Sequence, residues 1–144
     1  KSPVLPLVML DEPGGTYWKR FDEFVRREMV GRGLVSPSDR GLYRIADDVE
    51  QAAEEIEGFY RLCHSQRYVR DSLVLRIRHL LPETVLADLN VQFRDILTAP
   101  STQAPGPVPG EGDELPDLPR LVVHFNRSDY ARLRSLLDFV NAAG

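Results

Sequence analysis

The stretch Pro6-Leu7-Val8-Met9-Leu10-Asp11-Glu12-Pro13-Gly14-Gly15-Thr16-Tyr17-Trp18 decides how this chain is read. Residues 4–10 form a short continuous apolar run, the pattern of a parallel strand covered on both faces. Pro13-Gly14-Gly15 stops that run. Thr16 then stands as the N-cap of a helix over 17–30, in which Trp18, Phe21, Val25 and Met29 recur at helical spacing and Gly31 and Gly33 offer the exit. Ser36-Pro37-Ser38-Asp39 combines a Ser cap, a proline at the first helical position and an acid at the third, which predicts a short helical turn. Leu42 to Ala46 reads as a second brief strand. The order strand–helix–strand predicts that 4–10 and 42–46 lie parallel and adjacent, the helix supplying the crossover.

Working outward, Asp47 is placed as the cap of a further helix with Glu50 three residues on, and Val49, Ala53, Ile56, Tyr60 and Cys63 make one apolar stripe. Residues 72–97 and 120–140 then look like two copies of one pattern. Leu73, Leu75 and Ile77 in the first, and Leu121, Val123 and Phe125 in the second, alternate with other residues as in half-buried strands. A helix follows each strand, one opened by Pro82 and Glu83 with Val85, Leu89, Phe93 and Ile96 on a face, the other by Ser128 or Asp129 with Tyr130, Leu133, Leu137 and Val140. Between the copies, 98–119 is rich in Pro and Gly, carries Glu111, Asp113, Glu114 and Asp117, and reads as a loop or linker.

The fold class that emerges is α/β. Residues 1–66 form the C-terminal edge of a Rossmann-like parallel sheet, and 67–144 a small β-α-β-α extension with the Pro/Gly-rich loop inside it. A parallel strand pair expects strand neighbours and cover on both faces. The chain is therefore expected as a homo-oligomer or against a complementing chain that carries the N-terminal half of the sheet.

Composition narrows the function classes. The 144 residues are 42% hydrophobic and 28% charged, in the range of folded domains. A net charge of −4 argues against a general nucleic-acid binder, which needs an excess of Lys and Arg. No apolar run reaches the length of a membrane span. The opening Lys1 to Leu10 fits a buried strand better than a secretory leader, because of its prolines, short apolar core and acidic Asp11-Glu12 exit. The single cysteine, Cys63, has no internal disulfide partner and is consistent with a reducing compartment, so a cytoplasmic location is expected.

The candidate ligand-binding residues are Gly14, Gly15, Thr16 and Tyr17. Glycines at a strand-to-helix turn let a backbone approach a phosphate, and the helix N-terminus offers free N–H groups and a partial positive charge. The same glycines also serve the turn's own geometry. Tyr17 and Trp18 can stack on a base, or pack the helix. Cys63-His64 is neither a nucleophile–base pair nor half of a metal site, since neighbours on a helix diverge and His79 and His124 lie off ligand spacing. Arg61, Arg67, Arg70, Arg76 and Arg78 form a basic cluster that can bind phosphates, pair with another subunit, or remain a solvated face. No catalytic constellation is visible; no metal and no cofactor is expected.

Four blocks in order, Pro6-Leu7-Val8-Met9-Leu10-Asp11, Pro13-Gly14-Gly15-Thr16-Tyr17-Trp18, Gly33-Leu34-Val35-Ser36-Pro37-Ser38-Asp39 and Asp47-Asp48-Val49-Glu50-Gln51-Ala52, resemble the closing half of the Lonely Guy (LOG) family, whose members are often described as possible lysine decarboxylases. The resemblance covers about residues 1–65, and the rest is similar to the C-terminal extension of long bacterial members. It implies a Rossmann-type nucleotide-binding fold and a phosphoribohydrolase that cleaves the N-glycosidic bond of nucleoside 5′-monophosphates. The family signature PGGxGTxxE is not met: Tyr17 stands in place of its next Gly, Trp18 in place of Thr and Phe21 in place of the catalytic Glu. No catalytic residue carries over, so this chain alone is expected to be inactive, with the nucleotide bound through the N-terminal half. The alternative is a non-enzymatic nucleotide-binding or assembly module.

Overall fold

Strand β1 (Leu7–Leu10) and strand β2 (Tyr43–Ala46) pair in parallel, with Leu7 opposite Tyr43 and Leu10 opposite Ala46. The connection runs through helix α1 (Tyr17–Phe24), a π-helical turn (Val25–Val30) and a 3-10 helix (Pro37–Leu42). The parallel pair and the Ser36 turn match the sequence expectation. Ser36 N–H donates to Asp39 Oδ2 at 2.9 Å, closing a capping box. Helix α2 (Val49–Phe59) follows β2. Its cap lies one residue later than expected, with Gln51 N–H donating to Asp48 Oδ1 at 2.8 Å. The computed structural model describes residues 3–112 and 114–144. Contacts divide the chain into two compact units, Leu5–Gly58 and Phe59–Gly144, Val4 belonging with the second.

Helix α2 stops at Phe59, so Tyr60 and Cys63 do not extend its stripe; Cys63–Val69 is instead strand β3. A long-range side chain makes the difference. Asn141 Oδ1 accepts from Leu62 N–H and Cys63 N–H, both at 2.9 Å, while its Nδ2 donates to Phe59 O at 2.6 Å and Leu137 O at 3.0 Å. Asn141 thus satisfies one carbonyl that the end of α2 leaves open, Phe59 O, together with the first N–H groups of the segment that follows, and no local pattern around residue 60 announces it.

The second unit holds more strand than the β-α-β-α expectation. Strand β3 and β4 (Ser72–Ile77) form an antiparallel hairpin across Arg70-Asp71, where Arg70 takes a φ of 53°. Helix α3 (Glu83–Gln92), strand β5 (Thr102–Ala104), strand β6 (Arg120–Val123) and helix α4 (Tyr130–Asn141) complete a four-stranded antiparallel sheet in the order β3-β4-β6-β5. Leu73, Leu75, Ile77, Leu121 and Val123 meet Leu89, Phe93, Leu133, Leu136, Leu137 and Val140 in one core. The alternation of apolar residues read from sequence is the cause, since it places these side chains on a single sheet face. The cap of α4 resolves to Asp129, whose Oδ1 accepts from Arg132 N–H at 2.8 Å.

The opposite sheet face is not left to solvent. Val74, Arg76 and Arg120 are buried there beneath the Pro/Gly-rich segment between Pro105 and Pro119. That segment is a docked strap rather than a linker; Asp113 within it lies outside the described residues. Gly110 packs toward Val69, where an added Cβ would meet Val69 Cγ1 at 3.6 Å. Among the described residues no helix is long and apolar enough to cross a membrane.

Candidate functional site

The turn between β1 and α1 is organised by Asp11. Its Oδ1 accepts from Glu12 N–H at 2.9 Å and its Oδ2 from Tyr17 N–H at 2.8 Å. Asp11, and not Thr16, therefore caps α1; Thr16 makes no side-chain cap bond and contributes its carbonyl to Arg20 N–H at 2.9 Å. The glycines follow from this arrangement. Gly14 takes a φ of +76°, and a Cβ on Gly15 would stand 2.3 Å from Asp11 Cγ. Only a residue without a side chain lets the carboxylate reach the helix end.

A cleft of ≈ 490 Å³ opens beside the turn, lined by Asp11, Glu12, Gly15, Thr16, Tyr17, Arg20 and Phe21. The expected residues Gly15, Thr16 and Tyr17 line it together; Gly14 lines a second, smaller cleft that shares Asp11, Glu12 and Gly15 with it, with Trp18, Lys19 and Asp47 among its other lining residues. Tyr17 is 67% exposed and meets Trp18 edge to face at 4.8 Å, while the Trp18 indole N–H donates to Leu10 O at 3.0 Å. Trp18 is thus held by the strand, and Tyr17 is free at the mouth. From sequence, Asp11 and Glu12 read only as the acidic exit of the apolar run and Phe21 only as part of the helix stripe and the position where the family's Glu is missing, while Arg20 carries no signal. An acid ahead of a Pro-Gly-Gly turn carries no signal until the chain folds back on it.

The charge at this mouth matters to its chemistry. Two carboxylates, Asp11 and Glu12, and one guanidinium, Arg20, line it. A phosphate placed on the helix end would compete with Asp11 for Tyr17 N–H and meet like charge. Hydroxyl or amine donors match the carboxylates better, with an aromatic ring on Tyr17.

Deeper in the same unit, Arg40 Nε and Nη2 donate to Asp22 at 3.1 and 2.7 Å, and Tyr43 Oη donates to Asp22 Oδ1 at 2.7 Å. The Arg40 and Tyr43 bonds hold the Asp22 carboxyl below its ordinary range against the opposing effect of burial. This bridge joins α1 to the 3-10 helix and β2.

In the C-terminal unit, Cys63 is buried and desolvation pushes its thiol up to about 12, so it is no nucleophile at neutral pH. His64 is exposed on β3, its Nδ1 3.2 Å from Ser65 Oγ. His79 Nδ1 lies 3.2 Å from Leu80 O, and His124 Nδ1 lies 3.1 Å from Ser72 Oγ. Among the described residues no group of His, Cys, Asp and Glu is placed to hold a metal ion.

The arginine cluster divides. Arg78 is exposed and donates to Arg61 O at 3.1 Å. Arg76, expected on a polar face, is only 7% exposed and donates through Nε to Glu111 Oε1 at 2.8 Å and through Nη2 to Glu114 Oε2 at 3.0 Å. Arg120 is fully buried; its Nε donates to both Glu111 oxygens at 3.0 and 2.8 Å, and its terminal nitrogens donate to the carbonyls of Glu114, Leu115 and Leu118. Burial works to raise the Glu111 pKa, but the bonds from Arg120 and Arg76 outweigh it and hold the carboxyl below its ordinary value.

No family model, curated protein or solved structure matches this chain.

Proposed function

We propose that the chain supplies the closing strand–helix–strand unit and C-terminal extension of a LOG-like, Rossmann-type nucleotide-binding protein. In this reading the complete assembly is a nucleoside 5′-monophosphate phosphoribohydrolase whose catalytic carboxylate lies outside residues 1–144. The observation that carries it is the pair β1–β2: strands in parallel, joined through α1, with apolar side chains left open on and beside them. Leu7 is 51% exposed, Leu10 39%, Val49 65% and Ile56 44%. Parallel strands are stable when covered on both faces, so these residues call for further strands and helices from a second copy or a complementing chain.

Within that assembly the Asp11–Tyr17 cleft fits the sugar or base end of a nucleotide rather than its phosphate. Asp11 already occupies the helix end, and the mouth offers carboxylates and the Tyr17 ring. Self-capping by Asp11 also favours the second reading, an assembly module without chemistry.

Two measurements test the proposal. The purified chain, incubated with nucleoside 5′-monophosphates, is expected to release no base, because glycosidic cleavage needs a positioned carboxylate; release lost in an Asp11→Asn or Glu12→Gln variant would place the active site here and overturn the reading. Light scattering over a dilution series is expected to show species larger than the 16.3 kDa chain. A monomer at every concentration removes the call for outside strands.

A further inference from the structure

The sheet face opposite the helices gathers guanidinium groups on adjacent strands, Arg67 in β3, Arg76 in β4 and Arg120 in β6, and Arg76 stands directly opposite Arg120. Like charges in that cross-strand position repel. Here the side chains are only 8% and 0% exposed, where water screens the repulsion least. The pair is tolerated because one carboxylate enters from the strap and both Nε donors converge on its Oε1, at 2.8 Å from Arg76 and 3.0 Å from Arg120. Two fixed guanidinium donors aimed at one point are the ordinary construction of an oxyanion site.

We propose that Arg76 and Arg120 form an oxyanion-binding site for a carboxylate or phosphate group, closed in cis by Glu111 as its resident occupant and opened when a soluble anion displaces the strap. The strap is built for such an exchange. Gly110 and Gly112 flank Glu111 with φ of +90° and +89°, so the backbone on either side of the carboxylate adopts conformations that glycine reaches without strain. The strap is also held by Arg67, whose Nη1 donates to Glu111 O at 2.7 Å, and near β6 by the terminal nitrogens of Arg120 on the carbonyls of Glu114, Leu115 and Leu118, so lifting Glu111 also releases the Arg67 bond. Entry has a first step at the rim, where the Glu114 side chain is 69% exposed on Arg76 and Arg67 is 47% exposed. An incoming anion replaces Glu114 on Arg76 before it reaches the place of Glu111. No bond is made or broken; the exchange is of one anion for another.

The test uses the full chain and hydrogen–deuterium exchange of amides 105–112, with inorganic phosphate or malonate titrated against sodium chloride at matched ionic strength. Either anion is expected to raise strap exchange saturably, by roughly tenfold at its plateau. A response to phosphate alone assigns a phosphate ligand, and a response to malonate alone a carboxylate. In Glu111→Gln the occupant's charge is gone, and phosphate or malonate at about ten times its dissociation constant is expected to raise the melting temperature by about 5 °C over the chloride control. That rise should vanish in the double variant Arg76→Met, Glu111→Gln. Unchanged strap exchange with both anions overturns the proposal, whether or not Glu111→Gln folds; a Glu111→Gln protein that folds and gains nothing from either anion overturns it as well.

Discussion

Replacing Asn141 by Leu removes the clamp on the corner that turns α2 into β3. The amide makes bonds of 2.6–3.0 Å to four backbone groups, Leu62 N–H, Cys63 N–H, Phe59 O and Leu137 O. Leu137 O lies one helical turn before Asn141 and keeps an intrahelical donor; the other groups have no substitute, because Phe59, Leu62 and Cys63 are at most 5% exposed. The three orphaned groups, at about 1–3 kcal/mol each, cost about 3–9 kcal/mol together, and the added apolar side chain returns about 1–2 kcal/mol, so Asn141→Leu is expected to lose about 1–8 kcal/mol, with a middle value of about 4 kcal/mol. That is a large share of the roughly 5–15 kcal/mol that hold a domain. Asn141→Asp separates the two halves of the clamp: it keeps the acceptor for Leu62 and Cys63 but turns the donor into an oxygen facing Phe59 O. The assay is urea unfolding followed by far-ultraviolet circular dichroism, since the only tryptophan, Trp18, belongs to the other unit. A Leu variant whose midpoint and slope match the parent would refute the clamp.

Other expectations follow the same logic. Because Glu111 has a folded-state pKa below its ordinary 4.5, its contribution to stability is complete above that value and is lost as pH falls through the depressed one. The difference in unfolding midpoint between the parent and Glu111→Gln is therefore expected to be constant near neutral pH and to shrink below about pH 4.5; a difference that does not change with acid contradicts the buried pairing. Gly15→Ala drives a methyl group into Asp11 and should free Tyr17 N–H, with a loss of about 1 kcal/mol from the missing cap and faster amide exchange at Tyr17. Exchange at Tyr17 equal to the parent would show the turn to be tolerant of a side chain. Cys63 is expected to resist thiol reagents at neutral pH in the folded chain and to react on unfolding, and modification before unfolding would contradict its burial.

Where local pattern fixes structure, the sequence was readable. The apolar run before Pro13, the Ser36–Asp39 turn and the alternation in β4 and β6 each report a periodicity or a cap within a few residues. What stayed hidden depends on residues far apart. Cys63 reads as the last residue of the α2 stripe until Asn141, on α4, takes the N–H groups of Leu62 and Cys63. The Pro/Gly segment reads as a linker because nothing near Glu111 shows that Arg76 and Arg120 will stand across from each other and need it. In the candidate cleft, Gly15, Thr16 and Tyr17 were named for their place after a strand. The residue that organises them, Asp11, was seen only as the acidic exit of an apolar run.

Several edges of the C-terminal unit are fastened by side-chain amides that act as peptide groups would. Gln66 exchanges two hydrogen bonds with the backbone of Val4, Gln103 with Leu81 and Asn90 with Ser101. Each amide both donates and accepts, and that duality rests on one nitrogen. Slow hydrolysis of the amide replaces the nitrogen with oxygen, removes the donor and presses a negative charge against a carbonyl. The chain therefore carries, at Gln66, Asn90 and Gln103, points where chemical ageing alone loosens segments that no ladder bond secures.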